Sequence, residues 1–235
     1  MSEQEFIIEL DKIGIQINEN QKLLFKKYAQ FLLEYNKKVN LTAIKTLDDI
    51  YLKHFYDSIL LLKFIKLESG TLLDIGSGAG FPGIPLKIIN PEINLTLLDS
   101  NGKKTTFLKQ LSSVLNLDYL VINDRAENYV KKCRESFDYV VSRAVTQMPI
   151  LAELSIPYLK VNGIFISYKG KIDDSLENGQ YAIEKLGGVV QNVYYSNLPK
   201  TTDQRSFVVV SKQCKTDIIF PRNFDKIIKK PLQKI

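Results

Sequence analysis

Two cysteines, one histidine and no long apolar run occur in the 235 residues, and each shortage closes off a class of protein. Cys133 and Cys214 stand far apart with no metal-ligand partners beside them, so neither a disulfide framework nor a zinc site is expected. No apolar stretch approaches the ~18 residues of a membrane span, and the opening Met1-Ser2-Glu3-Gln4-Glu5 is acidic and polar, unlike a secretory signal. A cytoplasmic protein with no membrane contact and no bound metal is the expectation. What is present suits a folded core: 45% of residues are hydrophobic and 25% charged, ordinary values for a globular chain of this length.

The net charge of +6 is unevenly placed. Residues 1–199 hold 23 basic and 23 acidic side chains, whereas residues 200–235 hold 9 and 3. A basic end of this kind suits a polyanion and supplies the salt-dependent part of nucleic-acid affinity.

The most informative segment is Thr71-Leu72-Leu73-Asp74-Ile75-Gly76-Ser77-Gly78-Ala79-Gly80-Phe81-Pro82-Gly83. An apolar strand runs into glycines that let backbone approach a ligand, and Phe81-Pro82 then opens a helix whose N-terminus faces whatever binds. The run G-x-G-x-G-x-x-G is longer by a leading Gly-x than the G-x-G-x-x-G of a dinucleotide site, and it is preceded by Asp74, which stands where a pyrophosphate would be repelled. An acid there suits a cationic ligand, such as the α-amino group of S-adenosylmethionine (SAM). Asn94 to Asp99 reads as the next strand, and Asp99 at its end can accept from two ribose hydroxyls.

Residues 1–66 read as a helical extension, with Phe6, Leu10, Leu24, Tyr28, Phe31 and Leu32 at helical spacing, and residues 67–235 as the cofactor-binding core with its basic tail. Strands are expected near 71–74, 94–98, 119–123, 137–142, 163–168, 188–195 and 206–211. Helices are expected near 82–89, 103–115, 126–132, 148–159 and 173–186. Such alternation implies an α/β fold, a doubly wound parallel sheet of about seven strands, and the last two strands, with no helix between them, imply an antiparallel hairpin. Ligands lie at the carboxyl ends of such strands. The third strand runs into Arg125-Ala126-Glu127, where small Ala126 and the backbone could read an adenine edge. The fourth ends in Ser142-Arg143-Ala144-Val145, which places Arg143 to meet a cofactor carboxylate or a substrate.

These pieces, together with Asn40-Leu41-Thr42, His54 with Asp57-Ser58, Gly102-Lys103-Lys104 and the continuation Phe81-Pro82-Gly83-Ile84-Pro85-Leu86, resemble the ribosomal RNA small-subunit methyltransferase G family (RsmG, also called GidB) over nearly the whole chain. The resemblance implies a class I SAM-dependent (Rossmann-like) methyltransferase that methylates N7 of a guanosine in 16S rRNA. S-adenosylhomocysteine would be the product, 16S rRNA or the 30S subunit the partner, and a monomer the working form. It places cofactor contacts on Gly76, Phe81, Ala126, Glu127 and Arg143, to which the loop reading adds Asp74, Gly78 and Asp99. Lys103, Lys104, Arg125, Arg205 and Arg222 would hold RNA, with Arg143 and Arg205 orienting the base.

The residues agree on the chemistry. The fourth strand end lacks the Asn- or Asp-Pro-Pro-aromatic pattern used on exocyclic amines, and neither cysteine is placed for attack on a pyrimidine. A substrate atom that is already nucleophilic remains, and it requires positioning rather than a base. His54 reads as a hydrogen-bonded structural histidine beside the cleft. The spacing Tyr181-x-x-x-Lys185 matches one dehydrogenase class, but the glycine pattern together with Asp74 speaks against a dinucleotide. A non-catalytic RNA-binding factor and a small-molecule methyltransferase are the other readings to separate.

Overall fold

β1 (Gly70–Ile75) has no polar face: Leu72, Leu73 and Asp74 are all fully buried, the mark of a strand covered on both sides. In the computed structural model, which describes residues 1–143, 146–170 and 175–234, it is an interior strand, between β2 and β4, of a seven-stranded sheet of order β3-β2-β1-β4-β5-β7-β6. The other strands are β2 (Ile93–Asp99), β3 (Leu120–Asn123), β4 (Phe137–Arg143), β5 (Leu159–Lys169), β6 (Gly188–Asn197) and β7 (Gln204–Lys212). β1 to β5 are mutually parallel, and β7 runs antiparallel between β5 and β6, as the missing helix predicts.

One face of the sheet is covered by α1 (Glu3–Lys12), α2 (Glu19–Asn36), the helical stretch 47–63, α5 (Gly83–Ile89) and α6 (Gly102–Leu115). Phe6, Phe25, Tyr28 and Phe55 from the N-terminal helices share one core with Leu72 and Leu97 of the sheet. The stretch 47–63 changes pitch three times: α3 (Leu47–Asp49), a π-helical segment Ile50–Tyr56, α4 (Asp57–Ile59) and a 3-10 turn Leu60–Lys63. Leu73, Leu98 and Val140 point the other way, onto α7 (Ala126–Cys133), α8 (Met148–Ser155) and α9 (Ser175–Lys185). Residues 173 and 174 of the expected last core helix lie outside the described residues.

The expected helix 148–159 stops early. Pro157 has no N–H to return to the carbonyl four residues back, so α8 ends at Ser155 and a 3-10 turn, Ile156–Tyr158, leads into β5. β5 therefore starts at Leu159, opposite Phe137, and slips register before Ile164 meets Tyr139.

The tail adds a short helix that the pattern did not reveal, α10 (Phe224–Lys229), capped by the Asn223 side chain and packed through Ile227 on Ile150 and Leu154 of α8. Arg222 anchors it. Its Nε and Nη2 donate to the two oxygens of Glu153, at 2.8 and 2.6 Å, and Glu153 has no exposed surface. The charge expected to meet RNA is thus taken up inside the fold. Lys212 is likewise buried, donating to Glu135 and to the carbonyls of Ile156 and Leu159. Glu153→Gln leaves Arg222 facing a neutral amide and is expected to lower the unfolding free energy by about 3 kcal/mol, the low end for breaking a buried pair. Urea unfolding measures it, and a loss below about 1 kcal/mol, the scale of an exposed pair, would show that this contact does not anchor the tail.

Candidate active site

The chain leaves β1 through the glycine turn and enters α5. Gly78 has φ +60°, and a Cβ there would meet only the Gly76 carbonyl oxygen, at 3.9 Å, so it is the backbone conformation that favours glycine. A Cβ on Gly80, at φ +99°, would sit 2.5 Å from the Ile84 side chain and 2.7 Å from the Tyr28 hydroxyl. Two carboxylates brace the turn. Asp99 accepts from the Gly78 N–H at 2.9 Å and from the Asn101 N–H at 2.8 Å, one on each oxygen. Asp74 accepts from the Gly83 N–H at 2.8 Å, and its other oxygen is buried without a partner among the described residues. Burial pushes the Asp74 carboxyl up to about 7, opposed by the Gly83 N–H and by Arg143.

A cleft opens over the carboxyl ends of β1 to β4 in two lobes that share Gly76 and Asp99. The larger, about 390 Å³, lies between the glycine turn and Leu41, Thr42, His54 and Arg143, with Lys104 on its rim. The smaller, about 160 Å³, is bounded by Leu98, Ser100, Ala126, Glu127 and Phe224.

Arg143, at the end of β4, is held by three acceptors from the stretch 47–63. Its Nη1 donates to the Lys53 carbonyl and to Asp57 Oδ2, both at 3.2 Å, and its Nη2 donates to His54 Nδ1 at 3.1 Å. The π-helical segment makes this possible. In an α-helix the Asp57 N–H would bond the Lys53 carbonyl; here it turns to Leu52 and His54 instead, and the Lys53 carbonyl is left for the guanidinium. Phe81 completes the support: its ring stacks on His54 at 4.2 Å and on Tyr28 at 5.3 Å, with the Arg143 guanidinium 5.1 Å from its centre. The Tyr28 hydroxyl donates to the Ala79 carbonyl, tying α2 to the glycine turn.

Arg205 comes from far along the chain. Because β7 runs antiparallel, its first residues lie at the carboxyl edge of the parallel strands, and Arg205 Nε reaches Asp57 Oδ1 at 2.8 Å. Asp57 therefore bridges two guanidiniums; burial pushes its carboxyl up and Arg143 and Arg205 oppose that.

Gly76, Gly78, Phe81, Asp99, Lys104 and Arg143 meet in the larger lobe, and Ala126 and Glu127 in the smaller. Two expectations change, those for Asp74 and Arg222. Asp74 lines neither lobe and has no exposed surface, so it holds the loop from beneath rather than facing an amino group. Arg125 is exposed and lies in the wall of the smaller lobe with its guanidinium 4.9 Å from the Phe224 ring. Arg222 is paired with Glu153. Lys103 is exposed on the first turn of α6. Ala144 and Val145 lie outside the described residues, and Tyr181 and Lys185 border neither lobe.

Other contributors were not singled out from the sequence. Ser77 lines the larger lobe with its hydroxyl buried and unpartnered among the described residues. Asn36, at the end of α2, staples the next loop with four bonds: its carbonyl accepts from the N–H groups of Leu41 and Thr42, and its amide donates to the carbonyls of Thr42 and Ile44.

A guanidinium only donates, so His54 Nδ1 accepts and Nε2 carries the proton, 3.0 Å from Thr42 Oγ1. Burial, then Arg143, pushes the His54 pKa down from 6.5 to about 3. The unfolded chain then takes up the proton first as pH falls, so this contribution to stability is complete above about 6.5 and declines toward 3. In His54→Gln the amide can still accept from Arg143 and donate to Thr42, and the slope should vanish. The wild-type minus variant unfolding free energy is expected to drop on acidification below 6.5, by up to about 1.4 kcal/mol per pH unit. A difference independent of pH would refute the neutral assignment.

Comparison with known proteins gives this geometry a family. The model of "GidB: rRNA small subunit methyltransferase G" matches residues 21–207. Ribosomal RNA small subunit methyltransferase G of Desulforamulus reducens is 44% identical over 94% of this chain and 94% of its own length. The protein of that name from Lactobacillus johnsonii is 44% identical over 99% and 100%. Among solved structures, M. jannaschii TYW2 in complex with AdoMet superposes with a TM-score of 0.51 at 16% identity, covering 63% of this chain and 70% of that one. The ribosomal protein L11 methylase of Lactobacillus delbrueckii gives 0.53 at 15%, covering 69% and 79%. Those two likenesses establish the class I methyltransferase fold. With matches of this length and identity, the chain belongs to the ribosomal RNA small subunit methyltransferase G family and is a methyltransferase.

Proposed function

We propose that this enzyme transfers a methyl group from SAM to N7 of a guanosine in 16S rRNA of the small ribosomal subunit, by in-line attack without an essential general base. One observation supports the mechanism: among the described residues of the larger lobe, no titratable side chain is left over to serve as a general base. Both His54 nitrogens are engaged, Asp99 accepts a backbone N–H on each oxygen and has its remaining lone pairs committed to the ribose in this reading, and Arg143 and Lys104 are cations. Guanine N7 suits such a site, since it offers a lone pair and has no proton to lose. Positioning is then the main task left to the protein.

The cleft fits the cofactor. Arg125 caps α7 without a side-chain bond and the first amide to return to its carbonyl is that of Asn128, which leaves the N–H groups of Ala126 and Glu127 toward the smaller lobe for an adenine edge. Asp99, placed between the lobes, keeps lone pairs for ribose hydroxyls. The unpartnered Ser77 hydroxyl and Arg143 suit the carboxylate of the methionine end. When bound, SAM supplies an electrophilic methyl on its sulfonium. Arg143 and Arg205, sharing one carboxylate, keep a net positive charge at the mouth to orient the base and hold its phosphate.

Tritium from labelled SAM should enter unmodified small-subunit rRNA, and nuclease digestion with mass spectrometry should place it on guanine N7. Label on another base or atom would sink the specificity. With both substrates saturating, the rate of the chemical step is expected to change by less than about threefold from pH 6.5 to 8.5, whereas about tenfold per pH unit would indicate a titrating base. Asp99→Ala should weaken SAM binding by at least about tenfold, as the loss of charge-assisted hydrogen bonds implies. Calorimetry reads that change.

A further inference from the structure

Overall charge points to the tail as the place for a polyanion, but pairing removes much of it. Of the nine cations after residue 199, Lys200 pairs with Glu5, Arg205 with Asp57, Lys212 with Glu135 and Arg222 with Glu153. The charge-balanced part of the chain, in contrast, contains two segments with no acidic residue at all, 35–47 and 100–117. The fold sets them side by side: Phe107 of α6 stacks on Phe31 of α2 at 5.4 Å and meets Tyr35 edge-on at 5.0 Å. The first segment exposes Lys37, Lys38 and Lys45, and the second exposes Lys103. Lys22 and Lys53 nearby are paired with Glu19 and Asp49, but these four have no ionic partner among the described residues. The loop that carries three of them is the one Asn36 staples, and its Leu41 and Thr42 form a wall of the larger lobe.

We propose that the RNA backbone lies across this face, over the loop 37–46 and the first turn of α6, rather than along the tail. The proposal rests on the reading of the site as an RNA methyltransferase centre and gives that substrate a direction of approach. Arg143 opens into the larger lobe beside Leu41 and Thr42, so a base delivered from this side reaches it directly. The tail helix instead borders the smaller lobe, which a nucleoside of the cofactor would fill. Asn36 makes the surface a fixed one, so phosphates meet lysines whose backbone is already ordered.

Two triple variants of the full-length protein separate the surfaces at equal change of net charge: K37E/K38E/K45E on the loop and K226E/K229E/K230E on the tail helix. Binding to a transcript of small-subunit rRNA is measured by fluorescence anisotropy across a salt series, with SAM affinity by calorimetry as the test of an intact fold. The loop variant is expected to weaken RNA binding by at least about tenfold near 0.15 M salt, with a salt slope shallower by about 2, since each neutralised phosphate adds ~0.7–0.9 to that slope. The tail variant should change affinity by less than about threefold, and both should bind SAM as the wild type does. Equal weakening by the two variants, or weakening by the tail variant alone, overturns the proposal. Methyl transfer by the wild type to the same transcript is read alongside. Transfer with loop-independent binding removes this surface and keeps the function, whereas loop-dependent binding without transfer removes the function and keeps the surface.

Discussion

The site depends on one constraint: a guanidinium cannot give up its charge, and inside a cleft its N–H groups must all find acceptors. Arg143 finds three of them on a single helical stretch, which supplies a backbone carbonyl, an imidazole nitrogen and a carboxylate. Each acceptor is fixed by something else. The carbonyl is released by the π-helical segment, the imidazole is clamped between Thr42 and the Phe81 ring, and the carboxylate is shared with Arg205. Ser142, one residue earlier, donates to the Ile75 carbonyl at 2.8 Å and ties the same strand end to the start of the glycine turn.

Seen from this arginine, the N-terminal helices belong to the site as much as the sheet does. Tyr28 bonds the glycine turn and stacks on Phe81, and Asn36 shapes the loop opposite. Phe6, Phe25, Tyr51 and Phe55 pack behind them in edge-to-face and tilted pairs, contacts of about 0.5–1.5 kcal/mol each beyond their burial. That cluster fixes the stretch 47–63 in position and so fixes the acceptors of Arg143. Rigid apolar packing is what gives the polar contacts their geometry.

The sheet and its closing hairpin were legible in the sequence, because strand and helix periods and the absence of a final connecting helix are local signals. So was the glycine turn with Asp99, since strand ends and turn residues sit together in the chain. What escaped was set by partners distant in sequence. Nothing near Arg222 announces Glu153, 69 residues away, as its counter-charge. Asp74 reads as a ligand contact until the N–H of Gly83 is seen to fold back over it. The π-helical pitch at Ile50–Tyr56 has no pattern of its own, because its apolar residues also satisfy an α-helical reading. Charge was the most misleading quantity, since counting along the chain cannot see which cations are already paired.

The freed carbonyl of Lys53 has a bearing on how this enzyme can be interrogated. Host and guest there are one thermodynamic unit: without the guanidinium, a carbonyl, a carboxylate and an imidazole nitrogen lose a donor together, and the helix that carries them has reason to rewind to α pitch. Rewinding would move His54 off Phe81 and shift the floor of the cofactor cleft. Activity lost on replacing Arg143 would therefore mix the removal of the proposed substrate contact with the collapse of its setting. Residues that line the cleft without holding a helix in register, such as Ser77, are the cleaner handles on the chemistry.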